Sequence, residues 1–341
     1  GRIVVKPQDD EGKTKISATS AGMEGSQIAT REKENLRELR GLYGGDIELL
    51  EPLDAMATLD DVLAILSHEA YRQRNAQGLP GGLLTPPNAP TPIIVGDIHA
   101  QIDNLVTVLV QWGVLKGLSR GDAYLLFLGD FVHREGSGEL EEMGSSLLAL
   151  DLLFKLKVAF PENVFFLRGN HENFGGEVGK GGVPQGKLLW SRARELRGKK
   201  YARRLAQCFD QLAYVAMTSD YVACHGGPPR QRVSPRKLVN IEEYPELARD
   251  LVWNRLRRTG WPDGYSKRDV KLLREGIGAG KETPFIVSHT PLSRDDSAWL
   301  DAGGIPGHHI IFSANPKIPA VMLRGERGMV PIQLRCNAKS Q

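Results

Sequence analysis

Five short apolar runs, each followed at once by a polar cluster, recur through the middle of the chain. Pro92 to Val95 leads into Gly96-Asp97-Ile98-His99, Tyr124 to Leu128 into Gly129-Asp130, and Val164 to Leu167 into Arg168-Gly169-Asn170-His171-Glu172. Tyr221 to Ala223 leads into Cys224-His225-Gly226-Gly227, and Phe285 to Val287 into Ser288-His289-Thr290. Unbroken apolar runs of strand length predict strands buried on both faces. From Pro92 onward they alternate with helical spacing: strand over 93–95, helix near 101–112, strand over 124–128, helix near 140–157 and strand over 164–167. That βαβαβ order predicts a parallel sheet, with ligands gathered beyond the carboxyl ends of its strands. After a helical stretch near 187–213 come short strands at 214–217, 221–224, 285–288, 309–313, 320–324 and 329–334, several close enough in sequence for antiparallel hairpins. Arg324 to Gly328 reads as one such turn. The fold class expected is α/β: two mixed β-sheets packed face to face, with helices outside.

The first ninety residues have a different texture. Residues 1 to about 30 are polar and aperiodic, as in a loosely attached arm. Glu32 to Leu42 predicts a charged helix, and Thr58 precedes Leu59, Val62, Leu63, Leu66 and Tyr71 at helical spacing, with Asp61 completing an approximate capping box. Gln77 to Thr91, dense in Gly and Pro, reads as a linker. The division expected is therefore residues 1–90 as an N-terminal arm, helical extension and linker, and 91–341 as the main domain.

Composition narrows the class without naming a function. With 341 residues, 41% hydrophobic and 25% charged, the chain can bury a sizeable core. A net charge of +3 excludes a global field for nucleic acid or membranes. One local basic run, Arg192, Arg194, Arg197, Lys199, Lys200, Arg203 and Arg204, reads as a solvated helix face, with a docking surface for an anionic partner as the alternative. Three scattered cysteines suit neither a disulfide scaffold nor a zinc ribbon, which favours a reducing, cytoplasmic setting. No apolar run approaches the ~20 residues that span a bilayer, and the polar start has no signal-peptide core, although a chain beginning at Gly1 leaves room for a removed leader. Gly175 to Gly182 lacks the spacing of a phosphate-binding loop and reads as a flexible loop beside His171.

The strand-end clusters supply the chemistry. Asp97 and His99, two residues apart, can face the same way from one strand end, and Asp130 brings a carboxylate able to bridge two ions. Asn170, His225 and His289 add an amide oxygen and two imidazoles for a second ion, a donor mixture that suits Mn, Fe or Zn rather than Ca. Two divalent ions beside two carboxylates leave a net positive site that attracts an anion. Ions ~3.5–4 Å apart also lower the pKa of water, so that hydroxide forms near neutral pH. Hydrolysis of a phosphoester follows from that combination.

These residues resemble the metallophosphoesterases of the calcineurin type, and within them the phosphoprotein phosphatases that act on Ser/Thr, in a divergent or bacterial-like form. The resemblance rests on Gly96-Asp97-Ile98-His99, Gly129-Asp130-Phe131-Val132-His133-Arg134, the stretch from Phe160 to Glu172, Cys224-His225-Gly226-Gly227, Asp250-Leu251-Val252-Trp253, Ser288-His289-Thr290 and Ile311-Phe312-Ser313-Ala314-Asn315, in order from about 93 to 335. It implies a four-layer α/β/β/α sandwich and two metal ions, Mn or else Fe or Zn. Carried over, the pattern gives Asp97 and His99 to the first ion, Asp130 as bridge, and Asn170, His225 and His289 to the second. It makes His171 the general acid, with Arg134 and, by its distance after Trp253, Arg268 on phosphate oxygens.

The activity so implied is hydrolysis of phosphoserine and phosphothreonine in proteins by a metal-bridging hydroxide. The substrate is then a phosphoprotein or phosphopeptide, with no nucleic acid, no membrane segment, and the N-terminal arm free to dock a partner. Two alternatives remain: a hydrolase of diadenosine tetraphosphate or another nucleotide, and a metal-binding interaction module with impaired catalysis. The chain departs from the pattern at His133-Arg134-Glu135, where the family has Asp-Arg-Gly, so the carboxylate that orients the catalytic imidazole is missing; Glu135, Glu139, Glu141 and Glu142 are candidate substitutes. Pro316-Lys317 likewise replaces an aromatic that rims the family's cleft.

Overall fold

Residues 25–258, 262–326 and 328–334 are described by the computed structural model of this chain. Two helices, α1 (Gly25–Tyr43) and α2 (Pro52–Ser67), precede a pair of strands, β1 (Arg72–Arg74) and β2 (Pro80–Leu84). The parallel unit follows as β3 (Thr91–Val95), α3 (Ile102–Val110), α4 (Val114–Arg120), β4 (Ala123–Phe127), α5 (Gly144–Ala159) and β5 (Val164–Phe166). A long helix α6 (Gln185–Asp210) then leads to β6 (Val215–Met217), β7 (Val222–Cys224), α7 (Pro235–Val239), α8 (Pro245–Trp253) and α9 (Lys267–Ile277). The last strands are β8 (Phe285–Val287), β9 (Ala298–Trp299), β10 (His308–Ile311), β11 (Ala320–Gly325) and β12 (Gly328–Gln333).

The strands form two mixed sheets, ordered β1-β2-β6-β7-β8-β10-β9 and β12-β11-β3-β4-β5, and the βαβαβ unit is parallel as its order predicts. Alternation along the strands, with period two, sorts the interior into three packing layers. Ile93 and Val95, Leu125 and Phe127, and Val164 and Phe166 face the helical layer that includes α1 to α3, α5 and α6. Their neighbours Ile94, Leu126 and Phe165 meet Ala216, Ala223, Ile286 and Ile311 of the other sheet. On that sheet's far side Val215, Val222, Phe285 and Ile310 pack against α7, α8 and α9. Helix, sheet, sheet, helix is thus the order of layers.

The N-terminal part departs from its sequence reading in three places. Helix α1 already begins at Gly25, so the expected arm lies mostly in residues 1–24, outside the described residues. Helix α2 begins at Pro52 rather than at Thr58, which is buried in its middle, because proline fits the first turn where no amide hydrogen is needed. The stretch expected as a linker contains β2, which pairs with β6 inside the larger sheet. Its glycines serve close packing rather than flexibility: a Cβ on Gly81 would stand 2.3 Å from the Val239 carbonyl oxygen and one on Gly82 2.4 Å from that of Leu238, both in α7.

Buried ion pairs fasten this part to the sheets. Lys157, fully buried on α5, donates to Glu69 at 2.6 Å and to the Pro161 and Val164 carbonyls at 3.0 and 2.6 Å. Arg72 bonds the other Glu69 oxygen at 3.0 Å and the Gln211 carbonyl at 2.7 Å. The basic run on α6 divides: Arg197 is buried against Asp151 at 2.8 Å and Arg204 pairs with Asp60 at 2.7 Å, while Arg194, Lys199, Lys200 and Arg203 face solvent. Among the described residues no helix is long and apolar enough to cross a membrane, and Cys208 and Cys224 are free and buried.

Candidate metal centre

The loops after β3, β4, β5, β7 and β8 deliver Asp97 and His99, Asp130, Asn170 and His171, His225, and His289, respectively, to one cluster drawn from both sheets. Their backbones are held by groups that leave the ligand atoms free. Ser288 accepts from the Asp97 amide at 2.8 Å and its hydroxyl bonds Asp97 Oδ1, which also accepts from the His289 amide at 3.1 Å. Glu172, fully buried, accepts from the amides of Asp130, Phe131 and Gly169 at 2.8, 2.8 and 2.9 Å, latching the β4 loop to the β5 loop. The two loops run so close that a Cβ on Gly129, at φ +107°, would stand 2.3 Å from the Gly169 nitrogen. His99, Asp130, His133 and His289 sit at φ 45°, 52°, 70° and 63°. Left-handed backbone at a non-glycine residue costs about 1–2 kcal/mol, so four such residues at one site are strain the surrounding structure must sustain.

Distances around His225 are those of donors on a shared cation, and those around His99 are slightly longer. His225 Nε2 lies 3.2 Å from Asp130 Oδ2, 3.0 Å from Asn170 Oδ1 and 3.2 Å from His289 Nδ1. His99 Nε2 lies 3.5 Å from Asp97 Oδ2 and 3.8 Å from the same Asp130 Oδ2. Donors ~2.1 Å from one ion stand about 3.0–3.4 Å apart in octahedral or tetrahedral arrangement, so Asp130 Oδ2 is placed to be shared between two groups of donors. The other ring nitrogens are spoken for: His225 Nδ1 bonds the Leu128 carbonyl at 3.0 Å and His99 Nδ1 the His133 carbonyl at 3.1 Å. Donating there puts each lone pair on Nε2, toward the cluster. Asp97 Oδ2 is buried with no hydrogen-bond partner among the described residues. An orphaned carboxylate oxygen and several lone pairs within hydrogen-bond reach of one another fit two divalent cations.

Electrostatics agree with that fit. Burial opposes charge on both imidazoles, yet Glu135, Asp97 and Asp130 lift His99 to about 10, and Asp130, Asp97 and Glu172 lift His225 to about 9. A pocket that holds protons on buried histidines is one whose carboxylates draw cations, and a metal ion would displace those protons to reach each Nε2 lone pair.

His171 and His133 meet nitrogen to nitrogen, Nδ1 to Nδ1, at 2.8 Å. Burial, reinforced by neighbouring histidines, lowers the pKa of both, that of His133 strongly, so both rings are neutral and share one proton on that line. A proton on His171 Nε2 requires His133 Nδ1 to be the donor on that line.

Glu135, the second departure from the family pattern, places a carboxylate oxygen within 4.8 Å of ring nitrogens of His99 and His171. Glu139 instead pairs with Arg134 at 3.2 Å, and Arg134 also donates to Gln101 at 3.3 Å. Arg268 is exposed on the first turn of α9. A cation outside the motifs read from the sequence also lies here, Arg255, whose Nη1 bonds Thr290 Oγ1 at 3.0 Å, next to His289. Burial pulls its guanidinium below the usual value while Asp97, Asp130 and Glu135 pull it up, which marks it as facing the cluster. It arrives there because Asn254 donates to the Pro228 carbonyl at 2.7 Å and the Gly226 amide to that of Leu251 at 2.7 Å, docking the end of α8 on the His225 turn. Its signal in the sequence is its place two residues beyond the Asp250-Leu251-Val252-Trp253 motif.

A family model described as calcineurin-like phosphoesterase matches residues 91–314. Among solved structures, a protein serine/threonine phosphatase from Saccharomyces cerevisiae superposes with a TM-score of 0.64 at 16% identity, covering 93% of this chain and 98% of that one. That likeness is one of fold. The protein-tyrosine phosphatase of a psychrophilic Shewanella species gives a TM-score of 0.42 at 13% identity, over 78% of this chain and 91% of that one.

Proposed function

Because the chain belongs to the family of calcineurin-like phosphoesterases, we propose that it is a metal-dependent phosphomonoester hydrolase whose substrates are phosphoserine and phosphothreonine in proteins. The observation that carries this reading is Asp130 Oδ2, within 3.2 Å of His225 Nε2 on one side and 3.8 Å of His99 Nε2 on the other. Asp97, His99 and Asp130 would hold one ion, and Asp130, Asn170, His225 and His289 the other, Mn being favoured by the mixture of oxygen and imidazole donors. When bound, the two ions supply hydroxide near neutral pH and offset phosphate charge. Arg255 orients the phosphate through its planar fork, assisted by Arg134 once substrate competes with Glu139. His171 gives a ring proton to the departing serine or threonine oxygen. Beside Arg255, a groove of about 980 Å³ lined by Arg230, Arg249 and Trp253 offers room for the peptide on either side of the phosphorylated residue. A reducing, cytoplasmic setting is proposed with it, on the two free buried cysteines. Metal analysis with parallel panels of phosphoserine, phosphothreonine and phosphotyrosine peptides and diadenosine tetraphosphate tests the reading. Faster turnover of the dinucleotide than of every peptide would overturn it.

Arg255→Ala is expected to lower kcat/KM about 10- to 100-fold, the loss of charged hydrogen bonds worth roughly 1.5–3 kcal/mol, whereas Arg268→Ala stays within about twofold. Steady-state kinetics on one phosphopeptide compare them, and equal effects would return Arg268 to the site.

The histidine dyad has its own consequence. A neutral imidazole is a weaker acid than an imidazolium, and His133 cannot stabilise the cation as a carboxylate would. His133→Asp should therefore raise kcat on phosphoserine peptides by roughly tenfold and leave nitrophenyl phosphate nearly unchanged, since nitrophenolate leaves without a proton. No gain on the peptide would show that the dyad does not limit proton donation.

A further inference from the structure

We propose that Glu135 is a protein ligand of the first ion, the one assigned to Asp97, His99 and Asp130, and that Lys180 of the glycine-rich loop competes for its carboxylate. This rests on the two-ion reading of the site. In the family pattern the position holds glycine, so the carboxylate is this chain's own addition.

Three carboxylate oxygens stand at nearly equal distance from one ring nitrogen: Asp97 Oδ2 at 3.5 Å, Asp130 Oδ2 at 3.8 Å and Glu135 Oε1 at 3.8 Å from His99 Nε2. Glu135 groups with His99 and His171 rather than with the two aspartates, so its carboxylate would swing toward Asp97 and Asp130 to join their ion. Its other oxygen, Oε2, is 3.0 Å from Lys180 Nζ. The carboxylate therefore divides itself between the cluster and the loop. The start of α6, just beyond the loop, is fastened to the segment that carries Glu135, through Gln185 Nε2 donating to the Arg134 and Leu140 carbonyls at 2.8 and 3.0 Å. Lys180 is half-exposed, so its hold on the carboxylate is weak and readily exchanged.

A third carboxylate on the first ion has two chemical effects. It makes the donor set harder, favouring Mn or Fe over Zn at that position. It also removes one unit of net positive charge from the site, tightening the ion while lowering the attraction for phosphate.

The test is Mn²⁺ titration of the full chain against a chelating indicator, which reads the two affinities without any turnover. Glu135→Gln keeps the side chain's shape and removes its charge; the first ion should loosen about 10- to 100-fold while the second keeps its affinity. Lys180→Met should shift the same ion the other way, to tighter binding, because the competitor is gone. If Glu135 only braced the loop through Lys180, both variants would loosen the ion together, and that result overturns the proposal, as does an unchanged Glu135→Gln titration. Asp130→Asn is the control. Should it retain both ions at full affinity, the two-ion reading itself fails; should it lose them while Glu135→Gln does not, only the present proposal falls. Thermal melts of the metal-free variants establish that each is folded.

Discussion

Replacing Asp130 with asparagine should lower kcat on a phosphoserine peptide by at least about 10³-fold and leave the protein unable to hold two ions per chain. The substitution is almost isosteric, and the contact that positions the loop, Asp130 Oδ1 accepting from the His171 amide at 2.9 Å, can be kept by the amide oxygen. What changes is the other atom. Oδ2 becomes an NH₂ group, whose hydrogens point at His225 Nε2, 3.2 Å away, and toward the position that both ions would share. A shared ligand thus turns from a negative acceptor into a donor, and both ions lose a bond and a charge together. Loss of a single preorganised electrostatic contact costs about 10²–10³ in kcat, and here two ions are affected. Elemental analysis alongside kinetics decides the matter: two ions per chain with near wild-type turnover would mean that Asp130 does not bridge.

How much of this centre could be read from the chain alone follows from how local each signal is. Asp97, His99, Asp130, Asn170, His171, His225 and His289 each sit within a few residues of an apolar run, and a strand fixes where its next residues emerge. Their convergence then needed only the order of strands, which alternation with helices supplied. Arg255 and Arg268 were beyond such reasoning, because the path after α8 is irregular and its direction is set by contacts of Gly226 and Asn254 with segments far away in sequence. Distance after Trp253 points instead to Arg268, which is exposed on α9. The Gly81-Gly82 pair misled for a related reason: close approach of α7 and a flexible linker ask for the same residue. His133 was legible as a departure from the family pattern, but its meaning was not, since only the 2.8 Å contact with His171 shows that an imidazole has taken the orienting place.

That contact makes His171 the residue with the most informative single replacement. His171→Asn should lower kcat on a phosphoserine peptide by about 10²- to 10³-fold, the range for loss of a positioned proton donor, and on nitrophenyl phosphate by less than about tenfold. The asymmetry follows from the leaving groups: an alkoxide must be protonated as the P–O bond breaks, whereas nitrophenolate is stable as the anion near neutral pH. Asparagine retains a polar side chain beside His133 but has no proton to transfer at the required strength. Since the His171 amide, not its ring, meets Asp130, the loop and the bridging carboxylate keep their positions at 2.9 Å, and metal content should not fall. Equal losses on both substrates with full metal content would mean that His171 positions phosphate rather than protonating the leaving oxygen. In the His133→Asp background the same replacement should cost still more on the peptide, because it then removes an imidazolium rather than a neutral ring. Losses that are identical in the two backgrounds would separate His133 from the proton transfer altogether.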